Sequence, residues 1–283
     1  MASRIVARIV LGLTLACAPH LAPAQTDGVR TDRLPQILPE GSAPEPALPP
    51  QAPDLPPVRR GTSRPDAGMQ GAFARNAVPF EEEGAILSVV IVDTDGDPVD
   101  LQMPLSVALD PARPDIATRA ATYRARDYEV LVIPSIPPNG TPQDIEQGLQ
   151  ASLHLVGGAV AILPDPVTSA DRGALSTLIG RLAETGHGVL GRADGLDLAG
   201  PIARSRGLPS ATASAGIGDP DATRADVERA LDRATAALGP DDARILIVAN
   251  RPETLAALGG ARLPDGTRFA PLTAAMRLIG DLP

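Results

Sequence analysis

Residues 85–97, AILSVVIVDTDGD, set the fold class. Ile86 to Val92 form an unbroken run of apolar or small residues, and the run ends in three alternate carboxylates, Asp93, Asp95 and Asp97. A short continuous apolar run closed by turn residues is the pattern of a strand buried on both faces. Barrels and open α/β sheets build their sites from acids delivered at the carboxyl tips of such strands. Carboxylates spaced this way can hold a hard cation or act as a general base, and Asp and Gly after a strand also suit a plain turn. An EF-hand loop is excluded, because Pro98 and Pro104 stand where that pattern needs Gly and Glu.

The same texture repeats downstream. Strands are expected at residues 105–109, 129–133, 159–163, 188–190, 211–213, 244–249 and 268–270, and helices at 114–126, 142–155, 170–185, 196–205, 222–238, 252–258 and 273–279. Thr141-Pro142 supplies an N-cap and a first-turn proline, with Asp144 behind it. Gly186 and Gly239 stand where a glycine ends a helix. Leu175, Leu178, Ile179 and Leu182 repeat at helical spacing, as do Val227, Ala230, Leu231 and Ala234. About seven βα units predict a parallel α/β fold. A distorted (β/α)7-type barrel is favoured over an open dinucleotide-type sheet, because no glycine-rich phosphate loop follows the first strand.

Upstream the pattern stops. Residues 1–24 read as a signal peptide: Arg4 and Arg8 precede a short apolar core, and Ala22-Pro23-Ala24 is a cleavage site. A lipoprotein signal at Cys17 is the alternative. The core is too short to span a bilayer, which takes about 20 residues, so the mature chain is expected to have no membrane span and to be periplasmic or secreted. Residues 25–84 carry recurrent prolines without apolar periodicity and read as a disordered Pro-rich linker. The folded domain is then expected over residues 85–283.

Composition narrows the chemistry. The net charge is −9, and loss of Arg4 and Arg8 takes it to −11, which argues against nucleic acid or an anionic membrane as partner. Cys17 is the one cysteine, so the mature chain has neither disulfide nor thiol chemistry. His154 and His187 are the histidines outside the leader, and no His/Cys spacing encodes a zinc site. No G-x-S-x-G elbow marks a serine nucleophile. Tyr123, Tyr128 and Phe269 are the aromatics of the expected domain, few for stacking sugar rings.

The ordered set of segments resembles the divergent polysaccharide deacetylases of the glycoside hydrolase/deacetylase barrel superfamily. The segments are IVDTDG (91–96), PLSVALDP (104–111), YEVLVIPSIP (128–137), GGAVAILPD (157–165), ETGHGVL (184–190), ERALDRATAAL (228–238), ILIVANRPETLAAL (245–258) and APLTAAMRLI (270–279). The resemblance implies the barrel and a hydrolase that removes acetyl groups from envelope carbohydrate. It implies an Asp-Asp pair after the first strand, one acid a base and the other a ligand of a divalent metal (Zn²⁺ or Mg²⁺), completed by histidines.

Asp93 matches the base, but Thr94 replaces the second acid. Residues near Ile133, Leu163-Pro164-Asp165, Gly191–Asp194 and Ala249-Asn250 stand where the family carries its other site segments. The expected ligand histidines are missing, so the resemblance implies a degenerate site and a pseudoenzyme that binds an envelope glycan or a periplasmic protein. One alternative keeps hydrolysis, with Asp93 as base and Asp95, Asp165 and Asp194 around a metal. Asp97 and Asn250 complete the candidate residues. Another alternative reads IVDTDGD as resembling the first motif of haloacid dehalogenase-like phosphatases, with Asp93 as nucleophile, Asp95 as proton donor and Mg²⁺ as cofactor.

Overall fold

The computed structural model describes residues 71–81, 84–93, 96–192, 197–217 and 222–280. The expected signal peptide and most of the expected linker lie outside these residues.

Among the described residues nine strands form one sheet: β1 (Ala85–Asp93), β2 (Ser106–Leu109), β3 (Glu129–Val132), β4 (Ala161–Ile162), β5 (Gly188–Gly191), β6 (Ser210–Thr212), β7 (Ala215–Ile217), β8 (Ala243–Ala249) and β9 (Thr267–Ala270). Every pairing is parallel, in the order β6-β5-β4-β3-β2-β1-β8-β7, with β9 added on β1. β6 and β7 are two halves of one bent segment. β6 pairs with β5 and β7 with β8, and Ala213 N and Ser214 N donate to Gly191 O and Ile245 O at 3.0 and 2.7 Å. That bend makes the sheet a nearly closed seven-stranded barrel, as expected from the sequence.

Nine helices accompany the strands among the same residues: α1 (Ala72–Arg75), α2 (Ile116–Arg124), α3 (Pro142–Val156), α4 (Pro166–Ala170), α5 (Arg172–Thr185), α6 (Ala199–Ser205), α7 (Arg224–Ala236), α8 (Pro252–Gly259) and α9 (Leu272–Gly280). Their local causes are visible. Thr141 caps α3 in a capping box with Asp144, and Pro142 opens the first turn. Gly186 ends α5 in the left-handed region at φ 69°, where a side chain would strike Gly71. Gly239 does not end α7. The helix stops at Ala236, with Ala237 as its C-cap.

Strand alternation divides the core in two. Leu87, Val89 and Ile91 of β1 face the helix layer with Val107, Val130, Val189 and Leu246. Ile86 and Val90 face the barrel interior with Leu131, Leu163, Leu190 and Ile247. α9 belongs to the interior cluster, and its residues Leu272 to Met276 are all buried.

The linker expectation needs one correction, because residues 71–81 are part of the fold. Phe73 of α1 is buried in the interior cluster, Asn76 Nδ2 donates to Ala159 O at 2.8 Å, and Val78 N donates to Glu129 Oε1 at 3.1 Å. A few apolar residues without period are enough here, since the open end of the barrel supplies the partners.

Candidate functional site at the carboxyl end of the first strand

Asp93 is the last residue of β1 and is fully buried. It shares the outward parity of Val89 and Ile91, so its side chain enters the layer between sheet and helices. Val92, half-buried, faces the barrel interior instead. The Asp93 carboxylate meets three donor side chains. Arg119 Nη1 donates to Oδ2 at 3.0 Å and to Oδ1 at 3.3 Å. The Tyr123 hydroxyl donates to Oδ2 at 2.5 Å, and Asn250 Nδ2 donates to Oδ1 at 2.8 Å.

These partners come from separate elements. Arg119 and Tyr123 lie one turn apart on α2, on the face that also carries Ile116 and Ala120. Asn250 follows β8, where its N–H donates to Val92 O at 2.9 Å.

The network also fixes the loop after β1. Arg119 Nη2 donates to Gly96 O at 2.7 Å, Asn250 Nδ2 donates to Asp97 O at 3.0 Å, and the Tyr123 hydroxyl accepts from Val99 N at 3.0 Å. Arg119 Nε reaches Asp115 Oδ2 at 3.3 Å. Burial opposes the charge on Arg119, but its hydrogen bond to Tyr123 and the nearby Asp93 charge together raise its pKa above the ordinary arginine value. Burial first, and then the bond to Asp93, pushes the Tyr123 phenol up to about 12, so it stays a protonated donor.

The other candidates are dispersed. Asp165 is the N-cap of α4: Oδ1 accepts from Val167 N at 2.8 Å and Thr168 N at 3.0 Å, and Oδ2 accepts from the Thr168 hydroxyl at 2.5 Å. Asp97 is exposed and contributes only its backbone carbonyl to the network. Asp95 and Asp194 lie outside the described residues. His154 is exposed on α3, and His187 precedes β5 at the opposite end of the barrel from Asp93. Burial first, then the Arg75 charge, pushes the His187 pKa down to about 4.

Among the described residues the donor set does not fit the implied metal: no three His, Cys, Asp or Glu side chains converge, and Asp93 spends both oxygens on protein donors. Arg119 and Tyr123 were not singled out from the sequence as partners of Asp93. Their one signal was an arginine and a tyrosine four residues apart on the apolar face of a helix following an acid-tipped strand.

The site thus sits in a nearly closed parallel α/β barrel, with an acid at the tip of its first strand. Residues 93–274 match the family "Divergent polysaccharide deacetylase", and the chain belongs to it. No curated protein matches the chain.

Among solved structures, the chain is similar to the uncharacterized protein ATU2773 from Agrobacterium tumefaciens C58 (TM-score 0.61, 16% identity, 74% of this chain and 96% of that one). It is more distantly similar to the lactam utilization protein from Thermus thermophilus (TM-score 0.49, 12% identity, 65% and 98%). The catalytic domain of peptidoglycan N-acetylglucosamine deacetylase from Eubacterium rectale ATCC 33656 is also similar (TM-score 0.46, 14% identity, 71% and 94%).

Proposed function

We propose that this protein is an exported, non-hydrolytic member of the divergent polysaccharide deacetylase family, whose barrel serves as a binding scaffold for a glycan or protein of the cell envelope. The observation that carries the reading is the state of Asp93. A general base needs a lone pair within hydrogen-bond reach of the water it activates. Asp93 is fully buried, faces α2, and accepts from Arg119, Tyr123 and Asn250 at 2.5–3.3 Å. A nucleophile needs the same freedom, so this geometry also weighs against the phosphotransferase alternative. The acid that the family resemblance makes a base works here as a brace between β1, α2 and the end of β8.

The test is acetate release from N-acetylglucosamine oligomers by the full chain, with Zn²⁺, Mn²⁺ or Mg²⁺ added. The expected result is no release above the metal-only control, and no difference between wild type and Asp93→Asn. Release that Asp93→Asn abolishes would overturn the reading.

A further inference from the structure

Glu129 opens β3 at the amino end of the barrel and is buried, at 1% exposure. It shares the interior parity of Leu131 and takes no part in the network around Asp93. Its carboxylate accepts from Thr273 N at 2.9 Å and from the Thr273 hydroxyl at the start of α9, and from the Ser106 hydroxyl of β2 at 3.4 Å. The charged group that faces it from α9 is Arg277. The fourth donor is Val78 N, at 3.1 Å.

Val78 belongs to residues 71–81, which cross this end of the barrel as a strap. Phe73 N donates to Gly186 O at 2.9 Å, Asn76 Nδ2 donates to Ala159 O at 2.8 Å, and Arg268 Nη2 donates to Glu81 O at 3.1 Å. Those three bonds end on backbone carbonyls, which do not titrate. The Val78 bond ends on a carboxylate, so a proton can change it.

A buried carboxylate gives up its hydration, and burial raises the Glu129 pKa despite its donors and the Arg277 charge. Lifting the strap lets water reach the carboxyl and returns its pKa toward the ordinary value. Between those two values the lifted state binds fewer protons than the docked one, so rising pH favours lifting. His187 sets the opposite limit. It follows Gly186 under the start of the strap, and burial first, then the Arg75 charge of the strap itself, pushes its pKa down to about 4. Protonation of His187 therefore opposes docking only in strong acid.

We propose that residues 71–81 form a pH-sensitive strap, latched through Glu129 in mildly acid conditions and released as pH rises. Val78, Pro79 and Phe80 of the strap form one wall of a cavity of about 420 Å³, which Leu101, Met103 and Tyr128 help to close. Release removes that wall, so the cavity is complete only while the strap is latched.

The experiment is amide hydrogen exchange of the full chain from pH 5 to pH 9, corrected for the intrinsic exchange rate. Peptides covering residues 72–81 are read against peptides from α5 as the internal reference. It compares wild type with Glu129→Gln, which cannot ionise, and with Thr273→Val, which keeps the volume and removes one donor to the carboxylate. In wild type the strap should lose protection severalfold as pH rises while α5 holds. Glu129→Gln should abolish that dependence. Thr273→Val makes ionisation harder and should move the loss to higher pH.

A strap whose protection does not change with pH in wild type would overturn the proposal. So would a parallel loss in α5, the same dependence in Glu129→Gln, or an unmoved midpoint in Thr273→Val. Wild type and Thr273→Val decide the matter if Glu129→Gln does not fold. None of these outcomes bears on acetate release, which judges the reading of Asp93 separately.

Discussion

Asp93 and Arg119 form an ion pair with side-chain exposures of 0% and 5%, and both partners have further hydrogen bonds. Such a pair gives little net stability over an apolar replacement, but removing one partner leaves a buried charge uncompensated, at a cost of about 3–5 kcal/mol. The sequence marked Asp93 as special through its place at a strand tip. It did not reveal the role, because the partners lie 26 and 30 residues away on α2 and 157 residues away after β8. Asp165 shows the same limit: its signal, Asp before Pro after a strand, was that of an N-cap as much as of a ligand. His187 makes a prediction at this scale. Its pKa is pushed down to about 4 against an unfolded value near 6.5. Between those pH values the unfolded chain binds a proton that the folded chain does not. This contribution to stability is therefore full above about pH 6.5 and is lost as pH falls toward 4. Urea unfolding of wild type should lose on the order of 2–3 kcal/mol more than His187→Gln across that window.

Most strands and helices were legible to within two or three residues, because strands buried on both faces are continuous apolar runs and the main helices carry caps and a period of 3.6. Three elements were not. α4 is only five residues long, and β7 follows a bend at Ser214 that splits one segment between two partners. α1 and the residues after it have no periodicity and owe their order to the barrel floor. There Glu129, buried at the start of β3, accepts from Val78 N at 3.1 Å, Thr273 N at 2.9 Å and the Ser106 hydroxyl at 3.4 Å, and from the Thr273 hydroxyl. Burial raises its pKa. Phe73 packs against the same floor: a side chain at Gly188 would strike both Phe73 and Met276 of α9. Phe73→Ala should therefore cost about 3–5 kcal/mol in chemical denaturation and speed amide exchange in α9. An unchanged midpoint would mean that residues 71–81 are a tether after all.

On the scale of the whole molecule, the chain keeps the barrel of its family and buries its first acid against α2. The fold was legible because element order and apolar runs survive substitution at the strand tips. The fate of the site was only half legible. Missing histidines and Thr94 led to the expectation of an incomplete site, but only the parity of β1 and the position of α2 show that Asp93 faces away from the barrel interior. The most direct measurement is the unfolding free energy of Asp93→Asn relative to wild type, from urea titration at pH 7. A brace whose loss strands the buried Arg119 predicts a decrease of about 3 kcal/mol or more. A catalytic acid held at some cost to the fold predicts no loss or a gain, and that result would contradict the account.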